Sequence, residues 1–223
     1  MGADPAGQRI GWVPAPEQGW VAPHITSEFP GLGIAWVEVD AKPGKSPEPV
    51  RRRLRDLSDR TYGSQAIRLR ERPIPWAYRV FFRQIGLDPD RTRTPVEQLT
   101  LDRLHDGGFR SNGLPRDALD IAIVETGVAL RAFDAEGIQG RLCIRDSAPG
   151  ESLAGMPGEM AKGTLAIADE VRPLGLLFGA TAEGLRVGKG TRRIAIAAIQ
   201  VNGVPQIAVE EALWMAASTL EAA

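Results

Sequence analysis

Seven charged residues carry the chemistry that this chain offers: Asp120, Glu125, Arg131, Asp134, Arg145, Asp146 and Asp169 all fall near the ends of expected helices and strands. Side chains at element ends can converge on one pocket. There the acids would take a ligand's cationic group and the arginines its anionic one, so the set suggests a small zwitterionic, amino acid-like ligand. Read singly, each is an ordinary surface ion pair.

Common catalytic signatures are missing. Gly184-Leu185-Arg186-Val187-Gly188-Lys189-Gly190 has the glycines and lysine of a phosphate loop, but the spacing is short and Gly190 stands where that loop needs Ser or Thr. The two histidines, His24 and His105, are far apart and make no metal-ligand pattern. Cys143 is the single cysteine; it excludes an intramolecular disulfide and, between Leu142 and Ile144 of an expected strand, reads as an inert core thiol. No metal and no cofactor is expected, and no catalytic residue is assigned.

A second feature is arginine. Formal net charge is −1, but residues 51–110 hold 14 Lys/Arg against 8 Asp/Glu. Arg51, Arg52, Arg53, Arg55, Arg79, Arg83, Arg91 and Arg93 lie in this basic stretch. They are either a solvated helical surface or an anion-facing one able to meet an RNA backbone. Aromatic side chains beside Arg79 and Arg83 (Trp76, Tyr78, Phe81, Phe82) read as core packing, with base stacking as the alternative.

These residues need elements to hold them. Ile34, Trp36 and Val39 predict a strand that ends near Asp40. Ser46 is expected to cap a helix with Pro47 at its first position, since Val50, Leu54 and Leu57 recur at helical spacing. A second helix is expected over Trp76–Ile85. Thr94-Pro95-Val96-Glu97 is a capping box that opens a third, running to about His105, whose ring closes the helix against its dipole. A fourth follows Leu114-Pro115 and ends before Gly127. Strand-like stretches come next at Arg141–Ile144, Thr164–Ala168, Leu174–Phe178 and Arg193–Val201, and Val209–Leu220 reads as a terminal helix. Helices first and strands later predict an α+β fold with mixed sheets and packed helices.

With 223 residues, 43% hydrophobic and 25% charged, the chain has the composition of a globular protein. Its 25 glycines and 17 prolines predict short elements and many turns. Residues 1–22, rich in Pro, Gly and Ala, are expected to form a flexible arm, and residues 23–223 a single domain. The N-terminus has no signal-peptide pattern and no stretch is apolar enough to span a membrane, so a cytoplasmic location is expected.

Several short motifs occur in a familiar order. Arg91-Thr92-Arg93-Thr94-Pro95-Val96-Glu97-Gln98-Leu99, Leu119-Asp120-Ile121 and Gly127-Val128-Ala129-Leu130-Arg131-Ala132-Phe133-Asp134 are followed by Ile144-Arg145, Gly150-Glu151 and Leu165-Ala166-Ile167-Ala168-Asp169. From Phe29 to Val201 the chain resembles the B3/B4 domain of bacterial phenylalanyl-tRNA synthetase β subunits, in the manner of a free-standing B3/B4 protein. The resemblance implies an α+β fold with a pocket that, in the synthetase, hydrolyses tyrosine mischarged onto phenylalanine tRNA. Carried to this chain, it implies an editing-like domain in which Arg131, Asp120, Asp134, Asp169 and Arg145 bind substrate. The arginines of the basic stretch would meet the backbone of an aminoacylated tRNA. Three positions depart from the synthetase pattern: Arg131 replaces a histidine, Ile123 an asparagine and Ala197 the editing glutamate. The departures favour an alternative, a scaffold repurposed to bind an amino acid or another carboxylate, or an enzyme of specialised metabolism without tRNA editing.

Overall fold

A computed structural model describes residues 14–63 and 68–222. The described elements are β1 (Glu17–Gln18), β2 (Trp20–Val21), α1 (Pro23–Glu28), β3 (Gly33–Asp40), α2 (Glu48–Arg60), α3 (Pro73–Gln84), α4 (Pro95–Asp106), α5 (Arg116–Thr126), β4 (Ala129–Asp134), β5 (Cys143–Asp146), β6 (Leu165–Ala168), β7 (Pro173–Leu176), β8 (Arg193–Gln200) and α6 (Gln206–Glu221). The fold is α+β. None of the described helices is long and apolar enough to cross a membrane.

The strands form two four-stranded sheets. One, ordered β1-β3-β8-β4, is antiparallel throughout; the other, β2-β5-β6-β7, is mixed because β2 runs parallel to β5. In β3 and β8 the apolar residues run on almost without alternation, as in Ile194 to Ile199, and all six of those are buried. Such a run is what a strand covered on both faces requires. Helix α6 packs against β3 and β8, and α5 packs against α6 and α2.

Three local expectations are changed. The expected arm divides: residues 1–13 lie outside the described residues, whereas β1 and β2 pair into both sheets, because their backbone groups find partners on β3 and β5. Helix α2 starts at Glu48 with Pro47 at the cap. Ser46 instead donates its hydroxyl to Asp117, 2.6 Å away, a buried acid that also accepts from the Asn112 backbone. Strand β4, which carries Arg131, escapes a reading of periodicity, since a charged residue sits where alternation would put an apolar one. It is recruited by eight-residue β8, against which it pairs in full.

The aromatic residues of α3 pack inward, apart from Trp76. Tyr78, Phe81 and Phe82 surround the ring of Phe178 at centroid distances of 6.3, 6.1 and 4.7 Å. The Tyr78 hydroxyl also bridges β4 and β8, donating to the Ile199 carbonyl and accepting from the Ala129 N–H. Trp76 is half exposed, and the Arg83 guanidinium lies 5.7 Å from its ring centre.

Candidate functional site

The capping box predicted at Thr94 also builds one wall of a cavity. Glu97 accepts from the Thr94 N–H at 3.2 Å and from its hydroxyl at 2.8 Å through Oε2. Its other oxygen accepts from Arg79 at 2.6 Å, and Arg79 also reaches Asp90 at 2.7 Å. Arg79 is thereby buried, its side chain 5% exposed, and is removed from the expected RNA-facing set. A guanidinium can be buried in this way only because two carboxylates surround it. The consequence is a fixed segment: Thr92, Arg93 and Pro95 stand along the edge of a cavity of about 510 Å³.

Helix α5 supplies the second wall with Leu119, Asp120 and Ile123, and β4 with the turn after β7 closes the third with Arg131, Phe178 and Thr181. The cavity therefore gathers three segments that the sequence motifs marked, from Thr92 to Leu99, around Asp120 and around Arg131.

Arg131 is held by neutral acceptors. Nη1 donates to the Leu176 and Leu177 carbonyls at 2.8 and 3.3 Å, and Nη2 to the Thr181 hydroxyl at 2.9 Å. Its guanidinium also lies 5.7 Å from the ring centre of Phe133. Among the described residues no carboxylate comes within 4.0 Å of it. Burial lowers its pKa to about 10, which leaves it charged at neutral pH.

Asp120 is differently placed. Arg116 Nε donates to Oδ2 at 3.0 Å and lies 2.8 Å from Oδ1 at an angle that makes no bond, so Oδ1 has a charge beside it but no donor. Burial pushes the carboxyl up to about 6 despite the opposing pull of Arg116. Arg116 is a cavity residue the sequence reading missed, although its four-residue spacing from Asp120 on a helix was a signal for the pair. Thr181 was missed too, and no local signal marks it.

Asp134, Asp169 and Arg145, expected as substrate-binding residues, are not among the cavity-lining side chains. Asp134 accepts from the Glu136 N–H and from Thr191 at 2.6 Å. Asp169 accepts the backbone N–H groups of Gln139, Val171 and Arg172 and so ties a turn together. Arg145 is taken up by a two-bond pair with Glu151, at 2.7 and 2.6 Å. In each case a nearby loop satisfies the side chain.

The arginines of the basic stretch divide as well. Arg51 and Arg55 both pair with Glu48, Arg53 reaches Thr219, and Arg52 is exposed, all on α2. Arg91 is 89% exposed on the loop before α4, and Arg93 beside it pairs with Asp90 at 3.3 Å. Of the eight, only Arg93 lines the cavity. Cys143 is buried and its thiol is pushed up to about 11 by that burial. Among the described residues no three His, Cys, Asp or Glu side chains cluster as metal ligands.

Ile123 stands in the cavity wall, and Ala197 is the cross-strand partner of Arg131. The three positions at which the resemblance implies a departure from the synthetase pattern therefore lie in one region.

Comparison with known proteins gives the family to which these segments belong. The β subunit of phenylalanine–tRNA ligase from Tropheryma whipplei (strain Twist) is 31% identical over 145 residues, covering 64% of this chain and 14% of that protein. The corresponding subunit from Nitrosospira multiformis is 36% identical over 115 residues, 48% of this chain and again 14% of the relative. The chain thus spans about one seventh of the length of these relatives. The model of the B3/4 domain matches residues 77–213, which include α4, α5, β4 and β8 and with them most of the cavity. The chain belongs to the B3/4 domain family.

Proposed function

We propose that the cavity between α4, α5 and β4 is the ligand site of this B3/4 domain, and that it takes a small amino acid-like molecule. The observation that carries this reading is the presence of Arg131 and Asp120 in one cavity whose other walls include Phe82, Leu99, Leu119 and Ile123. Few charged groups among many apolar ones is the usual composition of a small-molecule site, where the polar groups orient the ligand and the apolar ones fill around it. The domain acts in this reading as a binding module on a scaffold related to that of the tRNA ligase subunits. The replacement of histidine by arginine at position 131 removes a proton acceptor that an editing reaction could use.

The test is nuclear magnetic resonance titration with a panel of standard L-amino acids, following the methyl signals of Ile123 and Ile199 in the cavity wall. Saturable shifts of those methyls support the reading; signals unmoved by every member defeat it.

A second reading, hydrolysis of a misacylated tRNA, is supported by Arg93 and Arg116 in the cavity wall, where they could meet the phosphates of a tRNA 3′ end. Its test is deacylation of a set of mischarged tRNAs. Release of amino acid above background, reduced by raised salt, supports this reading, and no release from any of them removes it.

A further inference from the structure

Arg131 is half-buried, with the inner edge of its guanidinium turned away from water and no acid beside it. Taking a guanidinium out of water is costly, and buried charges are normally paired with an opposite charge. Arg79, the fully buried arginine beside this site, follows the rule with two carboxylates. Arg131 has instead two backbone carbonyls and one hydroxyl. Asp120, the one acid in the cavity wall, is engaged by Arg116 and is not within 4.0 Å of Arg131.

The arginine is nonetheless firmly placed. Gly175 leaves room for it: a Cβ there would lie 3.1 Å from Nη2. Its strand partner Ala197 presents only a methyl group beside it. Three of the five guanidinium donors are used, so Nε–H and one N–H of Nη2 have no acceptor among the described residues. Nε and Nη2 share one edge of the planar group, the edge through which a guanidinium can hold a carboxylate by two parallel bonds, and Thr181 takes one of the two Nη2 hydrogens.

We infer that Arg131 is a receptor for a free carboxylate, so the ligand of this site is an organic acid with an apolar body and not an ester. The inference rests on the reading of the cavity as the ligand site and narrows it. An aminoacyl ester has lost the negative charge that Arg131 lacks, and its carbonyl could accept one bond but could not neutralise the cation. The other arginines of the wall already have partners, Arg116 in Asp120 and Arg93 in Asp90 outside the cavity, which leaves one positive charge for one carboxylate.

The experiment compares matched ligands on the unaltered protein: 3-phenylpropanoate and hexanoate against their primary amides and methyl esters. Calorimetry measures affinity, and the Ile123 and Ile199 methyl signals report occupancy of the cavity. Binding of an acid at least tenfold tighter than that of its amide and ester is expected, as the loss of a charged hydrogen-bonding partner implies. Arg131→Gln should level the two, while Arg131→Lys should keep a preference for acids. If amides and esters move the methyls at the same concentrations as the acids, the inference fails and the cavity reading stands. If no compound moves them, the inference fails, and the amino acid titration alone decides the cavity reading.

Discussion

Arg131 and Ala197 face one another in register across β4 and β8, so the half-buried guanidinium stands beside a methyl group and not beside an acid. Directly opposed residues of an antiparallel pair project to the same face, where their side chains are near neighbours. The contacts of Arg131 with Leu176, Leu177 and Thr181 show that this face looks toward the second sheet. A long charged side chain fits between the sheets because small residues flank it on both.

Gly175→Ala tests that fit. The added Cβ would lie 2.9 Å from the Ala180 carbonyl oxygen and 3.1 Å from Arg131 Nη2. The backbone oxygen cannot swing aside as a side chain can, so overpacking of about 1–3 kcal/mol is expected. Urea denaturation should show the lost stability, and the affinity of any cavity ligand should fall with it.

Glu97→Ala is expected to destabilise more strongly. It deletes a cap at Thr94 and strips Arg79 of its buried partner, leaving only the more exposed Asp90. Removing one member of a buried pair costs about 3–5 kcal/mol. Thermal unfolding gives the size of the loss. Replacement by Gln, whose single carbonyl oxygen can accept from Thr94 or from Arg79 but not from both, should recover part of it.

Asp120 predicts a pH dependence of stability. Its folded pKa, about 6, lies above the ordinary carboxyl value of 3.8, so the folded chain keeps a proton that the unfolded chain releases between these values. Its contribution to stability is therefore greatest below pH ~4, falls as pH rises to ~6 and is level above, by up to about 2–3 kcal/mol at 1.4 kcal/mol per unit. Asp120→Asn should flatten that segment of the curve, measured by urea denaturation across the range. A slope unchanged by the substitution would assign the effect to another group.

Cys143 should be unreactive in the folded protein. It has no exposed surface and its thiol is pushed up to about 11, so little thiolate exists at neutral pH and reagents cannot reach it. Labelling by a thiol reagent should be slow in buffer and immediate in strong denaturant.

What the amino-acid order determined by itself was local. The capping box at Thr94, the helix before Gly127, the strand from Gly33 to Asp40 and the buried thiol each depend on neighbours within a few residues, where periodicity and capping chemistry act. The colinear motifs likewise pointed to the B3/4 family. The fate of a charge is a different matter, because it depends on what lies across the fold. Arg79 and Arg131 look alike in the chain, yet one finds Glu97 and Asp90 and the other finds only carbonyls and a hydroxyl some 45 to 50 positions away. Asp134, Asp169 and Arg145 were equally plausible partners for a ligand until their own loops claimed them. Only the tertiary structure decided which arginine of the cavity wall was left without a counter-charge among the described residues, since pairing is settled by distance in space and the long side chains of Arg, Asp and Glu reach whichever partner the packing brings near.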